Sequence, residues 1–245
     1  MRTKADTCRI SLWMTLFAIA MAFLESAVVV YLRALYYPGG FAFPLQEMSP
    51  VLATTELFRE LATMLMLVSV AAISTRKFTV GMAWFIYAFA IWDIFYYVFL
   101  YMLIGWPSSL FTWDILFLLP VMWVGPVLAP VLNSLTMVLL AAVIIKASEK
   151  HDKVRLKGIE WLLLAGGSVI TIIGYTMDYT HYMMGKYTFM QLMTFAEYQA
   201  VMAFSSSYVP SYFNWLIFST GEALFLVAIF LLIKRLFFGT TKDSK

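Results

Sequence analysis

Six apolar stretches, each long enough to cross a bilayer, constrain this chain more than any other feature. A crossing helix needs about 20 mostly apolar residues, because every backbone N–H and C=O inside hydrocarbon must be bonded within the helix. The stretches run over about Ile10–Leu32, Pro50–Ser74, Thr79–Ile104, Val121–Ile145, Gly158–Met177 and Tyr212–Ile233. Ser49-Pro50 supplies a capping side chain followed by a residue that the first helical turn tolerates. Composition agrees. The 245 residues are 62% hydrophobic and 13% charged, against about 25% charged in a soluble domain. The first stretch continues to Leu32, longer than the apolar core of a signal peptide, and is expected to remain as a span.

The expected fold is therefore all-α: a single polytopic membrane bundle over residues 1–245, with six transmembrane helices and both termini cytoplasmic. Two shorter pieces complete the expectation. Leu110–Leu119 reads as a short helix or re-entrant piece before the fourth span, since Pro120, Pro126 and Pro130 interrupt the apolar run. Met190–Phe204 reads as an interfacial helix before the sixth.

The orientation comes from the basic residues. Of the 17 Lys and Arg, 14 fall at the two ends of the chain and in the second-to-third and fourth-to-fifth connections. Cytoplasmic loops are enriched in Lys and Arg, so six spans with both ends inside satisfy every loop. A bacterial-type inner membrane is the expected location. The other side keeps only Arg33, Arg59 and Lys186. The net charge of +3 and the confinement of basic residues to short loops give no nucleic-acid footprint. The lone cysteine, Cys8, forms no internal disulfide or cysteine metal cage.

Charged residues within apolar runs carry the functional signal, because a charge inside a membrane is costly and faces protein or water. Glu25 lies two turns before Arg33 in the first span. Glu56, Arg59 and Glu60 share the second. Asp93 sits among Trp92, Phe95, Tyr96 and Tyr97 in the third, within an aromatic run from Trp84 to Tyr101. Asp114 precedes the fourth span and Glu222 lies in the sixth. These eight residues, Glu25, Arg33, Glu56, Arg59, Glu60, Asp93, Asp114 and Glu222, are the candidate ligand-binding set, all in the outer half. Ala18-x-x-x-Ala22 in the first span has the small-residue spacing of helix contacts.

A second constellation is Asp178-Tyr179-Thr180-His181, where Asp178 and His181 share a helical face at i,i+3 and are candidate acid–base residues. No second Glu-x-x-His copy is present and no HExxH or phosphate loop occurs, so metal and cofactor stay undefined. Three functions compete. The first is binding and transport of a small solute, cation or proton at the carboxylates. The second is an embedded enzyme acting on a lipid or quinone-like substrate through Asp178 and His181. The third is a structural subunit of a larger membrane complex. Besides the lipid bilayer, the partners considered are a small-molecule ligand and membrane-complex subunits. The first reading leads, because distributed carboxylates need no missing motif.

Overall fold

The computed structural model describes residues 4–118, 121–188, 190–191 and 198–238. Six long helices dominate it: α1 (Lys4–Tyr36), α2 (Pro50–Ser74), α3 (Phe78–Ile104), α4 (Leu128–Lys150), α5 (Gly158–Met184) and α7 (Trp215–Phe237). All six are long and apolar enough to cross a membrane. A short helix, α6 (Tyr198–Ser206), precedes α7, and two strands, β1 (Trp113–Phe117) and β2 (Trp123–Pro126), lie between α3 and α4.

Local chemistry sets the boundaries. Ser49 Oγ accepts the Leu52 N–H at 3.3 Å, with Pro50 at the start of α2. Asn214 Oδ1 accepts the Ile217 N–H at 3.1 Å and opens α7. Gly105 ends α3 in the left-handed region, at φ 65°, where a side chain would be strained. Because six helices alternate in direction, the chain ends and the connections at 75–77 and 151–157 share one end of the bundle, here called the terminal end. The connections at 37–49, 105–127 and 185–214 share the far end.

The bundle is organised around neighbouring pairs. α1 and α2 both pack on α3, α3 packs on α4, α4 on α7, and α7 on α5. In a bilayer such packing rests on close side-chain fit, since lipid tails are as apolar as leucine. Small residues provide that fit. Ala18 and Ala22 of α1 and Ala83 and Ala88 of α3 are completely buried in the central core. Conversely Leu24, Phe58, Ile73, Leu162, Leu216 and Phe230 point outward and are exposed. Such apolar outer faces suit a surrounding bilayer.

At the terminal end, Glu160 is clamped. Arg235 donates to it from Nε at 2.8 Å and Nη2 at 2.7 Å, and the Lys157 N–H donates at 2.7 Å. This carboxylate, buried at the start of α5, ties α5 to α7.

Three expectations change. Leu110–Leu119 contains no helix among its described residues. Trp113–Phe117 is instead the first strand of an antiparallel hairpin, pairing Trp113 with Pro126 and Asp114 with Gly125. Nor does the fourth helix begin at Val121. It begins at Leu128, because Trp123–Pro126 is extended and Pro126 offers no N–H to a helix. Pro130 then falls within the first turn of α4, where proline is tolerated. Leu119 and Pro120 lie outside the described residues. Before the last span, the described residues of the expected Met190–Phe204 segment, Met190, Gln191 and 198–204, are helical, and the helix runs on to Ser206; residues 192–197 lie outside the described set. The last span begins at Trp215, not Tyr212.

The hairpin buries its aromatic face. Trp113, Leu116 and Trp123 pack against a small core of Ala129, Tyr175, Phe213 and Phe218. Gly125 lets this happen, for a Cβ there would sit 3.0 Å from the Phe213 ring and 3.3 Å from Tyr175.

Candidate functional site

Between α1 and α2, beneath the β1 strand and against α3, lies a cavity of about 190 Å³. Its walls bring together residues far apart in sequence. Glu25 and Arg33 come from α1, Glu56, Arg59 and Glu60 from α2, Asp93 from α3, and Asp114 from β1. Seven of the eight residues singled out from sequence therefore line one space. Trp92, Tyr96 and Tyr97 of α3 and Tyr37, Phe41 and Met48 of the α1–α2 connection contribute to its apolar wall.

The polar groups form two nodes. In the first, Arg59 bridges the helices that flank the cavity. Its Nε donates to Glu56 Oε2 at 2.7 Å, and its Nη1 donates to Glu25 across the gap to α1. In the second, Arg33 lies in the last turn of α1. Its guanidinium carbon is 3.7 Å from the Trp106 ring centroid and 4.6 Å from that of Phe41. The cation is thus held between two aromatic faces. Its Nη2 stands 3.6 Å from Asp114 Oδ1, an ion pair without hydrogen-bond contact. The Tyr97 hydroxyl donates to Asp114 Oδ2 at 3.3 Å. Arg33 is only 8% exposed, yet its Nη1 is buried with no hydrogen-bond partner.

Two carboxylates sit apart from these nodes. Both oxygens of Glu60 accept the Leu118 N–H, at 3.1 and 3.0 Å, so α2 holds the end of β1. Asp93 Oδ2 accepts the Ser134 hydroxyl of α4 at 2.7 Å, and no cationic group pairs with it among the described residues. Asp114, in the hairpin and outside the six long helices, has its carboxyl pushed up to about 7 by burial, which outweighs the opposing charge of Arg33. With all groups ionised, five carboxylates face two guanidiniums, a formal surplus of three negative charges.

Glu222 is not part of this cavity. It accepts from Asn133 Nδ2 and from Thr136 Oγ1, both at 2.7 Å, and so joins α7 to α4. Asp178 is bonded elsewhere than to His181 among the described residues. Asp178 accepts from the Tyr208 hydroxyl at 2.6 Å, from Ser211 Oγ at 2.8 Å and from the Ser211 N–H at 3.1 Å. It anchors the connection into α7, and burial together with this bond raises the Tyr208 hydroxyl pKa. His181 is exposed near the end of α5. Among the described residues no group of three or more His, Cys, Asp or Glu is placed to hold a metal ion.

Sequence reasoning missed three contributors. Trp106 stacks on Arg33 from the segment after α3. The Leu118 contribution is a backbone N–H, which no side-chain pattern announces. The α1–α2 connection folds over the cavity, aided by Gly40 at φ 103° and by the Gln46 N–H donating to the Tyr37 hydroxyl at 2.8 Å. Its Tyr-Tyr-Pro-Gly-Gly run was the available signal. The aromatic run of α3 divides: Trp84 packs in the core and Tyr87 bonds Thr15 at 2.8 Å, whereas Trp92, Tyr96 and Tyr97 face the cavity.

Comparison with protein-family models, with curated proteins and with solved structures finds no match for this chain.

Proposed function

We propose that this multi-pass membrane protein binds a small cationic solute in the cavity between α1, α2, α3 and β1, as a receptor or carrier step in its transport. The observation that carries this reading is the cavity's charge pattern: five carboxylates from four elements around two guanidiniums, in one space of about 190 Å³. Asp93 is the ammonium partner. Arg59 already occupies Glu25 and Glu56, Arg33 stands beside Asp114, and Glu60 holds a backbone N–H. Asp93 has only a neutral hydroxyl. The aromatic walls suit a cation with an apolar body. An empty apolar space of about 150 Å³ accepts benzene, so a single-ring molecule is the right scale.

In this reading the chain ends face the cytoplasm of a bacterial-type inner membrane, by the bias of Lys and Arg, and the cavity opens in the outer half. An embedded enzyme built on Asp178 and His181 has less support, because Asp178 is fully engaged in anchoring α7.

Benzylamine is the probe. Titrated into the full chain in lipid nanodiscs, it binds saturably. Asp93→Asn weakens it about tenfold, the scale of one charge-assisted hydrogen bond. Glu222→Gln, which lies outside the cavity, leaves the affinity unchanged. Absence of saturable binding, or equal sensitivity to both substitutions, overturns the proposal.

A further inference from the structure

The geometry points to a zwitterion as the occupant of this cavity: a compact molecule with an amine at one end, a carboxylate at the other and an apolar body between. The inference rests on the cation-binding reading and adds the second half of the ligand. It starts from Arg33. A guanidinium carries five N–H donors and is never deprotonated in proteins. Leaving one of its nitrogens buried and unbonded is costly, yet Arg33 Nη1 is in that state. The neighbours cannot serve it. Trp106 and Phe41 cover the faces of the guanidinium and offer no acceptor. Asp114 stands 3.6 Å from Nη2, and one of its oxygens is committed to Tyr97. An acceptor oxygen brought by a ligand would complete the set.

The indole of Trp92 gives a second, independent sign. It also lines the cavity, is 8% exposed, and has a buried Nε1–H with no acceptor. Two unmet donors, on side chains that line a cavity with surplus carboxylates, ask for a ligand that carries both signs of charge. The anionic end belongs at Arg33 and the cationic end at Asp93.

The two charged ends are held by different helices, Asp93 on α3 and Arg33 on α1. Asp93 and Tyr97 are four residues apart on α3, about 6 Å along the axis. Beyond Tyr97 the path continues through Asp114 to Arg33, over contacts of 3.3 and 3.6 Å. The amine and carboxylate therefore stand at opposite ends of a body about one ring long.

Three probes sharing one ring test this: 4-(aminomethyl)benzoate, benzylamine and benzoate, each titrated into the full chain in nanodiscs. Wild type binds 4-(aminomethyl)benzoate about tenfold or more tighter than benzylamine, the gain expected of a charge-assisted contact. Arg33→Gln abolishes that preference by weakening only the zwitterion, and Arg33→Lys restores part of it. Since Arg33→Gln leaves Asp114 without its cation, Arg33→Gln/Asp114→Asn is measured beside it and behaves the same way. If benzylamine binds but the zwitterion gains nothing, the zwitterion inference falls and the cation site stands. If Arg33→Gln weakens benzylamine equally, Arg33 only shapes the cavity and the inference also falls. If no probe binds, both readings fall.

Discussion

Arg59 is the residue on which the cavity's shape depends. Its side chain bridges the two helices that flank the space, donating to Glu25 on α1 and Glu56 on α2. Replacing it by methionine leaves two carboxylates facing each other in a setting of low polarity. Breaking a buried pair in this way costs about 3–5 kcal/mol. Glu25→Gln/Glu56→Gln/Arg59→Met removes all three charges and recovers most of that loss, read as thermal unfolding in nanodiscs; equal destabilisation of the single and triple variants would show that Arg59 acts through packing alone. Asp114 makes a different prediction. Its folded-state pKa is raised to about 7 by burial, while an unfolded Asp titrates near 4. The folded form thus holds its proton over a window in which the unfolded form has released it. Stability is fullest below about pH 4 and declines as pH rises toward and past 7. Asp114→Asn flattens the fall in melting temperature between pH 5 and 8, and an unchanged slope would remove Asp114 as its cause. The charged members of the site were legible in the sequence, because Glu25, Arg59 and Asp93 interrupt apolar runs where charge is costly. The donors from Leu118 and the stacking of Trp106 were not, since one is backbone and the other depends on how a loop returns.

The α5–α7 pair shows what one atom does at the level of an element. Gly167 and Gly221 face each other so closely that a Cβ on Gly221 would lie 2.3 Å from Thr171 Oγ1 and 3.1 Å from the Gly167 carbonyl oxygen. A Cβ on neighbouring Gly166 would meet nothing nearer than Leu224 Cδ1, at 3.8 Å. Gly221→Ala therefore pushes the helices apart and costs about 1–3 kcal/mol, the usual penalty of overpacking. Gly166→Ala is neutral or stabilising, because alanine favours the helix. Melting temperatures of the two variants separate the explanations, and equal shifts would mean that helix propensity, not the crossing, decides. The long helices were readable because apolar length and capping residues are local properties. The hairpin was not. Trp113–Phe117 and Trp123–Pro126 lie within the same apolar run as the span that follows them. What makes them strands is their pairing with each other and the burial of Trp113 and Trp123 on the Tyr175 and Phe213 cluster. Those contacts come from α5 and from the segment before α7, more than 45 residues away in sequence.

For the whole molecule, the distribution of charge gives the cavity its direction. Among the described residues, the terminal end carries Lys4, Arg9, Arg76, Lys77, the basic 146–157 segment and Arg235. The far end carries the cavity, with its surplus of carboxylates. A membrane that keeps basic loops on its cytoplasmic side therefore presents the cavity to the opposite compartment. In the proposed orientation, an acidic pocket would concentrate cations from outside before any step across the bilayer. The chain holds its own reporter, since Cys8 is the single cysteine and is exposed near the start of α1. Ser108, exposed beside the hairpin at the far end, becomes the second reporter as Ser108→Cys in a Cys8→Ser background. A membrane-impermeant maleimide added to intact cells labels the Ser108→Cys protein at once. It reaches native Cys8 only after the membrane is opened. The reverse pattern would turn the cavity toward the cytoplasm, and the solute would then be captured from the cell interior. Labelling of both sites in intact cells would show that α1 does not cross, leaving α2 and α3 as the only spanning walls around the Arg59 bridge.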